Sequence, residues 1–380
     1  METIRAFASH IISPYHRAGI LSFLGHFALP SRHVAATIYI DSGNWRKNLL
    51  QEGQLRENHF SAEFKDEVLP FGVIDLLKAA YALLFMRNKA EPDCLVIGHS
   101  RVNLKLIAGL FAKGLLTLKS RIATVVIDEG IGTYAGLAYR YQAFCRENKP
   151  GIPGKLLYCL IYPANQHILK SHYLIDHDWR LIRRGAFGKL SLNNIAISCY
   201  RDTFRKDSSH GAAEDDRPDI LLITQPLVEL GLVTPSCYQD ILSRLKNIAS
   251  AAGLSVMVKC HPAEGQAVYG EYGFKVIESS STAESIISQL RPHLVLGFSS
   301  TALVNSSIMF SVKSQSILKL LPGSTELTEQ LFKDTNIRHI YTEYVNFITE
   351  WPELQEVLAR LPGTAPGKEK LQQASKAMHF

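Results

Sequence analysis

Four stretches place reactive side chains where an open α/β fold binds ligands. The first is Val125-Val126-Ile127-Asp128-Glu129-Gly130, an apolar β-branched run ending in two adjacent carboxylates and a glycine. Such a run predicts a buried parallel strand that reaches the carboxyl edge of its sheet. Neighbouring strand residues point to opposite faces, so Asp128 and Glu129 cannot enter one pocket equally. Gly130 and Gly132 let the backbone turn tightly or approach a ligand closely. The second stretch is Lys259-Cys260-His261-Pro262. Pro262 stops the strand and leaves His261 at the edge, where an imidazole can donate to a phosphate or, protonated, act as an acid. The third is Ser299-Ser300-Thr301, whose hydroxyls and N–H groups at a helix start suit an anion or simply cap the helix. The fourth is Glu284, in a first helical turn, where the helix dipole steadies a carboxylate that could also accept from ribose hydroxyls.

The elements that must position these groups read as α/β alternation. In the first half, Ile4–Ile12, Val34–Ile40, Cys94–Gly98 and Ile122–Ile127 read as strands, with Glu67–Phe71 as a short one. Arg17–Phe27, Val73–Asn88 and Val102–Leu118 read as helices, and a polar, partly helical segment runs to about Glu63. Ile195–Tyr200 reads as the strand that closes this half. Arg201–Pro218, polar and nearly free of core residues, reads as a linker. Strands then recur at Asp219–Thr224, Ser255–Lys259, Phe274–Ile277, His293–Leu296, Val312–Leu318 and Arg338–Tyr341. Helices fall at Tyr238–Ala252, Ala283–Leu290, Ala302–Met309, Glu326–Lys333 and a last one through Arg360. The organisation is residues 1–206, a linker at 207–218, a second domain at 219–345, and a C-terminal helix and tail at 346–380. The expected fold is α/β, with two Rossmann-like domains facing each other across a cleft.

Composition narrows the function. The 380 residues favour two domains, and 46% hydrophobic with 20% charged residues is ordinary globular usage. A net charge of +6 fits an acidic small molecule, a glycan or an anionic membrane surface. No aromatic-interleaved basic motif points to nucleic acid. The six cysteines form no CxxC and read as reduced and buried, as in a cytosolic protein. The first residues lack the pattern of a signal peptide, and no apolar run reaches the roughly 18–20 residues of a bilayer span. The expectation is a cytoplasmic protein, at most peripheral to the inner membrane.

The carboxylate, the histidine and the hydroxyls together suit displacement of a sugar from a nucleotide, with a base for the acceptor hydroxyl and donors for the leaving phosphate. The ordered set Asp128-Glu129-Gly130, Lys259-Cys260-His261-Pro262 and Ser299-Ser300-Thr301 resembles the bacterial sialyltransferases of the capsular polysialyltransferase and lipooligosaccharide sialyltransferase families. Ser13-Pro14-Tyr15-His16 is similar to a turn near their N-termini, and Leu221–Pro226 to the opening strand of their second domain. The resemblance implies a GT-B fold and an inverting, metal-independent transfer from CMP-sialic acid to a glycan or glycolipid of the bacterial surface. It implies Asp128 as general base, with Glu129 as the alternative, and His261 on the CMP phosphate as donor or acid. It implies Ser299 and Ser300 on the phosphate or sialyl carboxylate and Glu284 on the ribose. Gly130, Thr224, Gln225, Lys259, Pro262 and Thr301 join the nucleotide-sugar side, and Ser13, Tyr15, His16 and His99 the acceptor side. No cofactor or metal is implied. Residues 135–192 have no counterpart in the resemblance.

Other readings are carried alongside. Another CMP-activated ulosonic acid (legionaminic, pseudaminic or Kdo) would present the same carboxylate and phosphate, and a nucleotide-sugar epimerase would keep the fold. A glycan-binding or capsule-assembly protein would not bind CMP. Gly98-His99-Ser100-Arg101-Val102 nearly matches a serine hydrolase elbow, but Val102 replaces the final glycine. Asp176-His177-Asp178 could hold a divalent ion. Arg180, Arg183 and Arg184 read as a solvated basic face or as a contact for an acidic acceptor.

Overall fold

A computed structural model describes residues 2–9, 13–40, 54–57, 59–85, 91–99, 102–128, 130–136, 141–142, 145, 151–152, 175–184, 189–207, 217–264, 267–277 and 281–362. Glu129, Ser100, Cys159, Leu156–Pro163, most of the expected linker and the tail after Pro362 lie outside them. The chain divides into two compact units, Met1–Thr203 and Phe204–Phe380.

Among the described residues, the first unit carries a seven-stranded sheet. Its strands are β1 (Glu2–Ser9), β2 (Arg32–Tyr39), β3 (Gln54–Arg56), β4 (Phe60–Lys65), β5 (Cys94–His99), β6 (Ile122–Ile127) and β7 (His177–Trp179). Their order is β3-β4-β2-β1-β5-β6-β7, and only the β3–β4 pair is antiparallel. With the short β3 set aside, the parallel strands run 3-2-1-4-5-6, the Rossmann order, whose switch point falls between β1 and β5. Helices α1 (Pro14–Phe27), α2 (Val73–Phe85) and α3 (Leu104–Ala112) follow β1, β4 and β5. Ser13 and Pro14 start α1: the Ser13 hydroxyl accepts from the His16 N–H, and the proline sits in the first turn. A small hairpin, β8 (Ile182–Arg184) with β9 (Leu190–Leu192), precedes α4 (Asn194–Asp207). Buried Phe7, Val96, Leu106, Ile107 and Leu110 belong to one core on one side of this sheet.

Among the described residues, the second unit repeats the order with six parallel strands. They are β10 (Ile220–Ile223), β11 (Val256–Lys259), β12 (Lys275–Val276), β13 (Leu294–Gly297), β14 (Lys313–Ser316) and β15 (Asn346–Phe347). The order β12-β11-β10-β13-β14-β15 is again 3-2-1-4-5-6, with the switch point between β10 and β13. The continuous apolar runs of β10 and β13 are fully buried, as a parallel sheet covered on both faces requires. Helices α5 (Pro235–Ala251), α6 (Ala267–Glu271), α7 (Ala283–Leu290), α8 (Thr301–Phe310), α9 (Ser324–Leu331), α10 (Thr335–Tyr344) and α11 (Trp351–Ala359) complete it. A β-carbon added at Gly297 would sit 2.9 Å from the Ile223 carbonyl oxygen, so glycine is what lets β13 lie against β10 at the switch point.

Three expectations are corrected. The segment before Glu63 holds β3 and β4, where Phe60, Ala62 and Phe64 alternate with half-buried Ser61, Glu63 and Lys65, while Glu67–Phe71 is irregular. Ile195–Tyr200 is helix, because Asn193 accepts from the Ala196 N–H and starts α4, which also takes in Arg201–Asp207 from the expected linker. Arg338–Tyr341 is helix under the Asp334 cap, and the strand there is β15. Each short apolar run was open to either reading by pattern, and the local cap decided it.

Candidate active site

In the first unit the predicted residues gather at the carboxyl ends of β1, β5 and β6. Tyr15 and His16 lie in the first turn of α1 rather than in a free turn. His16 is buried and stacks on His99, their rings 4.3 Å apart, and the His99 Nε2 lies 3.0 Å from the Ser9 carbonyl oxygen. Tyr15 meets Tyr200 of α4 at 5.8 Å, and the Asp128 N–H donates to the Tyr200 hydroxyl at 3.3 Å. Tyr15 and Asp128 therefore meet at Tyr200, while His16, capped by Ser13, meets His99.

Asp128 itself is 1% exposed. Its Oδ1 accepts from the Gly130 N–H at 2.7 Å and the Thr133 hydroxyl at 3.3 Å. Its Oδ2 accepts from the Tyr134 hydroxyl and from the Leu181 N–H at 3.3 Å. A carboxylate offers about four lone-pair sites, and four donors occupy them. Burial first, and the Asp128 charge second, raise the Tyr134 and Tyr200 hydroxyls well above the ordinary tyrosine range, so both stay protonated. The Tyr134 hydroxyl in turn accepts from the Ile182 N–H at 3.0 Å. Asp128 thus ties the 3-10 turn Ile131–Tyr134 to the start of β8. Gly130 joins β6 to that turn at φ 103° and ψ −164°, a conformation essentially reserved for glycine.

Asp176, Asp178 and Arg180 have separate structural uses. The Asp176 carboxylate accepts from the Thr124 N–H and hydroxyl at 2.8 and 3.0 Å. Asp178 forms a two-pronged pair with Arg180 at 2.8 and 2.7 Å. The Asp176-His177-Asp178 string is spent on these two partners, and Arg180 is a paired cation rather than part of an open basic face.

In the second unit, Thr224, Gln225, Lys259, His261, Ser299 and Ser300 stand at or just beyond the carboxyl ends of β10, β11 and β13, around the switch point. Gln225 Oε1 accepts from the Ser299 N–H at 2.6 Å and its hydroxyl at 2.9 Å, crossing from one central strand to the other. The Tyr341 hydroxyl holds the Ser299 carbonyl from below. Ser300 caps α8 by accepting from the Ala302 N–H at 3.3 Å, and Thr301 begins that helix. His261 is exposed and opens a turn in which the Glu264 N–H donates to the His261 carbonyl at 3.0 Å, with Pro262 in the second position. Lys259 is buried, and desolvation lowers its amine below the ordinary lysine range. Cys260 is buried and its thiol is pushed up to about 11, while Cys94 rises to about 12, so both are inert neutral thiols.

Glu284 lies deeper, 6% exposed, and accepts from Asn305 Nδ2 of α8 at 2.8 Å. Burial raises its carboxyl above the ordinary glutamate range. A raised folded-state pKa gives stability that is present below the unfolded value and lost as pH rises through the folded one. Glu284→Gln keeps an oxygen for Asn305 without the buried charge. Its thermal midpoint is expected to match or exceed wild type by about 2–4 °C at neutral pH. That gain should vanish as the buffer is taken down to about pH 4, where the wild-type carboxyl is protonated. Melting curves across that range test it.

Sequence reasoning missed Tyr134, Tyr200, Glu264, Tyr341 and Asn305. Glu264 carried a usable signal, since a carboxylate three residues after a histidine-proline turn start can bond back to the turn's first N–H. Tyr134 follows Asp128 closely but at a spacing with no recognised meaning, and Tyr200, Tyr341 and Asn305 are distant in sequence from the groups they hold.

Two Rossmann-like units, each with polar groups at its switch point, are the components of a GT-B glycosyltransferase. A sequence model of the alpha-2,8-polysialyltransferase (POLYST) family matches residues 100–319, more than half of the chain, and the chain belongs to that family. It is a glycosyltransferase that transfers sialic acid. Among curated proteins, no sequence matches. Among solved structures, the chain is similar to UDP-GlcNAc 2-epimerase from Methanocaldococcus jannaschii at 14% identity and TM-score 0.48, covering 100% of each chain. It is similar to an α/β-galactoside α-2,3-sialyltransferase from Photobacterium phosphoreum at 13% identity and TM-score 0.42, covering 92% of this chain and 100% of that one. It is also similar to Acinetobacter baumannii MurG at 10% identity and TM-score 0.41, covering 100% of this chain and 91% of that one. Among the described residues, no helix is long and apolar enough to cross a membrane.

Proposed function

We propose that this chain transfers sialic acid from CMP-sialic acid to a glycan hydroxyl of a bacterial surface polysaccharide, with inversion and without a divalent ion. The observation that carries the reading is the family match, which spans Asp128, His261, Glu284 and Ser299 together. The acceptor oxygen bonds to the anomeric carbon as the bond from that carbon to the phosphate oxygen breaks. CMP departs with the electron pair. His261, the Ser300 hydroxyl and the N–H groups at the start of α8 are the donors assigned to its phosphate, with Gln225 holding Ser299 beside them. One phosphate carries little enough charge for fixed donors to hold.

The acceptor proton needs a base. The four hydrogen bonds to Asp128 make it a poor one, because no lone pair is left to receive a proton. Glu129, the other carboxylate of the motif, is therefore assigned as the base, and Asp128 shapes the turn. The test is CMP release from CMP-sialic acid in the presence of a sialylated glycan and EDTA. Stabilisation by CMP over UDP and GDP, about 2.7 kcal/mol at a hundredfold excess over Kd, should accompany it. Turnover that stops in EDTA, or that prefers a uridine donor, would remove the reading.

A further inference from the structure

We propose that Glu264 is a positioning residue that sets the orientation and tautomer of His261; the inference rests on the donor reading above. The Glu264 carboxylate reaches back over its own turn. Its Oε2 accepts from the His261 N–H at 2.7 Å and from the Thr224 hydroxyl at the end of β10. Its Oε1 accepts from the Tyr269 hydroxyl of α6 at 2.7 Å, and that hydroxyl lies 3.0 Å from the Tyr238 hydroxyl of α5. One carboxylate thus pins the histidine turn to a central strand on one side and to two helices on the other. Tyr238 and Tyr269 are buried, which keeps this anchor rigid.

The consequence falls on the imidazole. Within the pinned turn, the Ala263 N–H donates to His261 Nδ1 at 3.2 Å. Nδ1 is the acceptor, so the neutral ring carries its proton on Nε2, the nitrogen on the exposed side chain that remains to donate. A donor fixed in this form needs no reorganisation when a phosphate arrives. Glu264 touches neither phosphate nor sugar in this scheme. Its effect runs through the turn.

A glutamine at 264 can repeat the arrangement. Its oxygen can accept from His261 and Thr224, and its amide can donate to Tyr269 once the two tyrosine hydroxyls reverse. Alanine cannot. The expected result is that Glu264→Gln stays within about fivefold of wild type in kcat/KM for the donor, the scale of one ordinary hydrogen bond. Glu264→Ala should raise the donor KM by about tenfold to a hundredfold, with kcat less affected. The direct readout is the 15N spectrum of His261 at mildly alkaline pH without substrate. Wild type and Glu264→Gln should show the Nε2–H form, and Glu264→Ala a mixture of both forms. Glu264→Gln failing as badly as alanine, or a wild-type ring in the Nδ1–H form, would overturn the proposal, and the latter needs no variant that might misfold. Failure of the wild type to bind CMP would instead remove the donor reading while leaving the spectrum to decide the tautomer.

Discussion

Asp128→Ala is expected to lower the stability of the first unit by about 3–5 kcal/mol, the usual result of removing one partner from a buried charged network. Four donors would lose their acceptor at once: two backbone N–H groups, at Gly130 and Leu181, and two hydroxyls, on Thr133 and Tyr134. Each buried donor left unsatisfied costs about 1–3 kcal/mol, less whatever water can enter to relieve it. Asp128→Asn should cost less, about 1–3 kcal/mol, since its oxygen can still serve Gly130 and Thr133 while its amide opposes the Leu181 N–H. Denaturation followed with a probe in the first unit should give the order wild type, asparagine, alanine. Transfer should fall with the folded fraction. If Asp128→Ala instead unfolds like wild type while transfer drops by several orders of magnitude, Asp128 is the base and the assignment to Glu129 is wrong.

This result bears on how far the sequence could be read. The alternation of apolar runs and amphipathic segments was enough to anticipate two Rossmann-like halves, because parallel strands buried on both faces must be continuously apolar. Ile220–Ile223 and Leu294–Gly297 are such strands. The positions of Asp128, His261 and Ser299 at strand ends were legible for the same reason: a polar residue directly after such a run must lie at the sheet edge. What those residues do there was not legible. Asp128 draws its partners from residues 133, 134 and 181, and its neighbour Tyr200 from a helix in which Ile195–Tyr200 passes for a strand. A strand-end carboxylate poised for catalysis and one bound into a turn look alike until the donors around them are known. Glu284 shows the same limit, since Asn305, which holds it, sits on the next helix. Gly130 was the exception. A glycine after two carboxylates suggested an unusual backbone, and φ 103° is one.

His261→Ala should leave folding intact, because the side chain is exposed, and should lower kcat/KM by about a hundredfold to a thousandfold, the range seen when one preorganised donor is removed. Two further replacements separate the ways this could happen. Asparagine places an oxygen near the Nδ1 position, where it can keep the bond from the Ala263 N–H and hold the turn. It offers no donor at the far end. Glutamine can place its amide near the Nε2 position and donate to a phosphate, but it cannot release a proton at any accessible pH. If His261 acts only as a fixed donor, glutamine should recover about tenfold or more of the loss, the worth of a hydrogen bond to a charged group, and asparagine should not. If it must protonate the departing phosphate, both should fail as alanine does. A rate partly restored by glutamine and not by asparagine therefore assigns His261 to binding the charge that develops on CMP. The proton of the acceptor is then the only one the enzyme must take, which is why one base, assigned to Glu129, suffices for the chemistry.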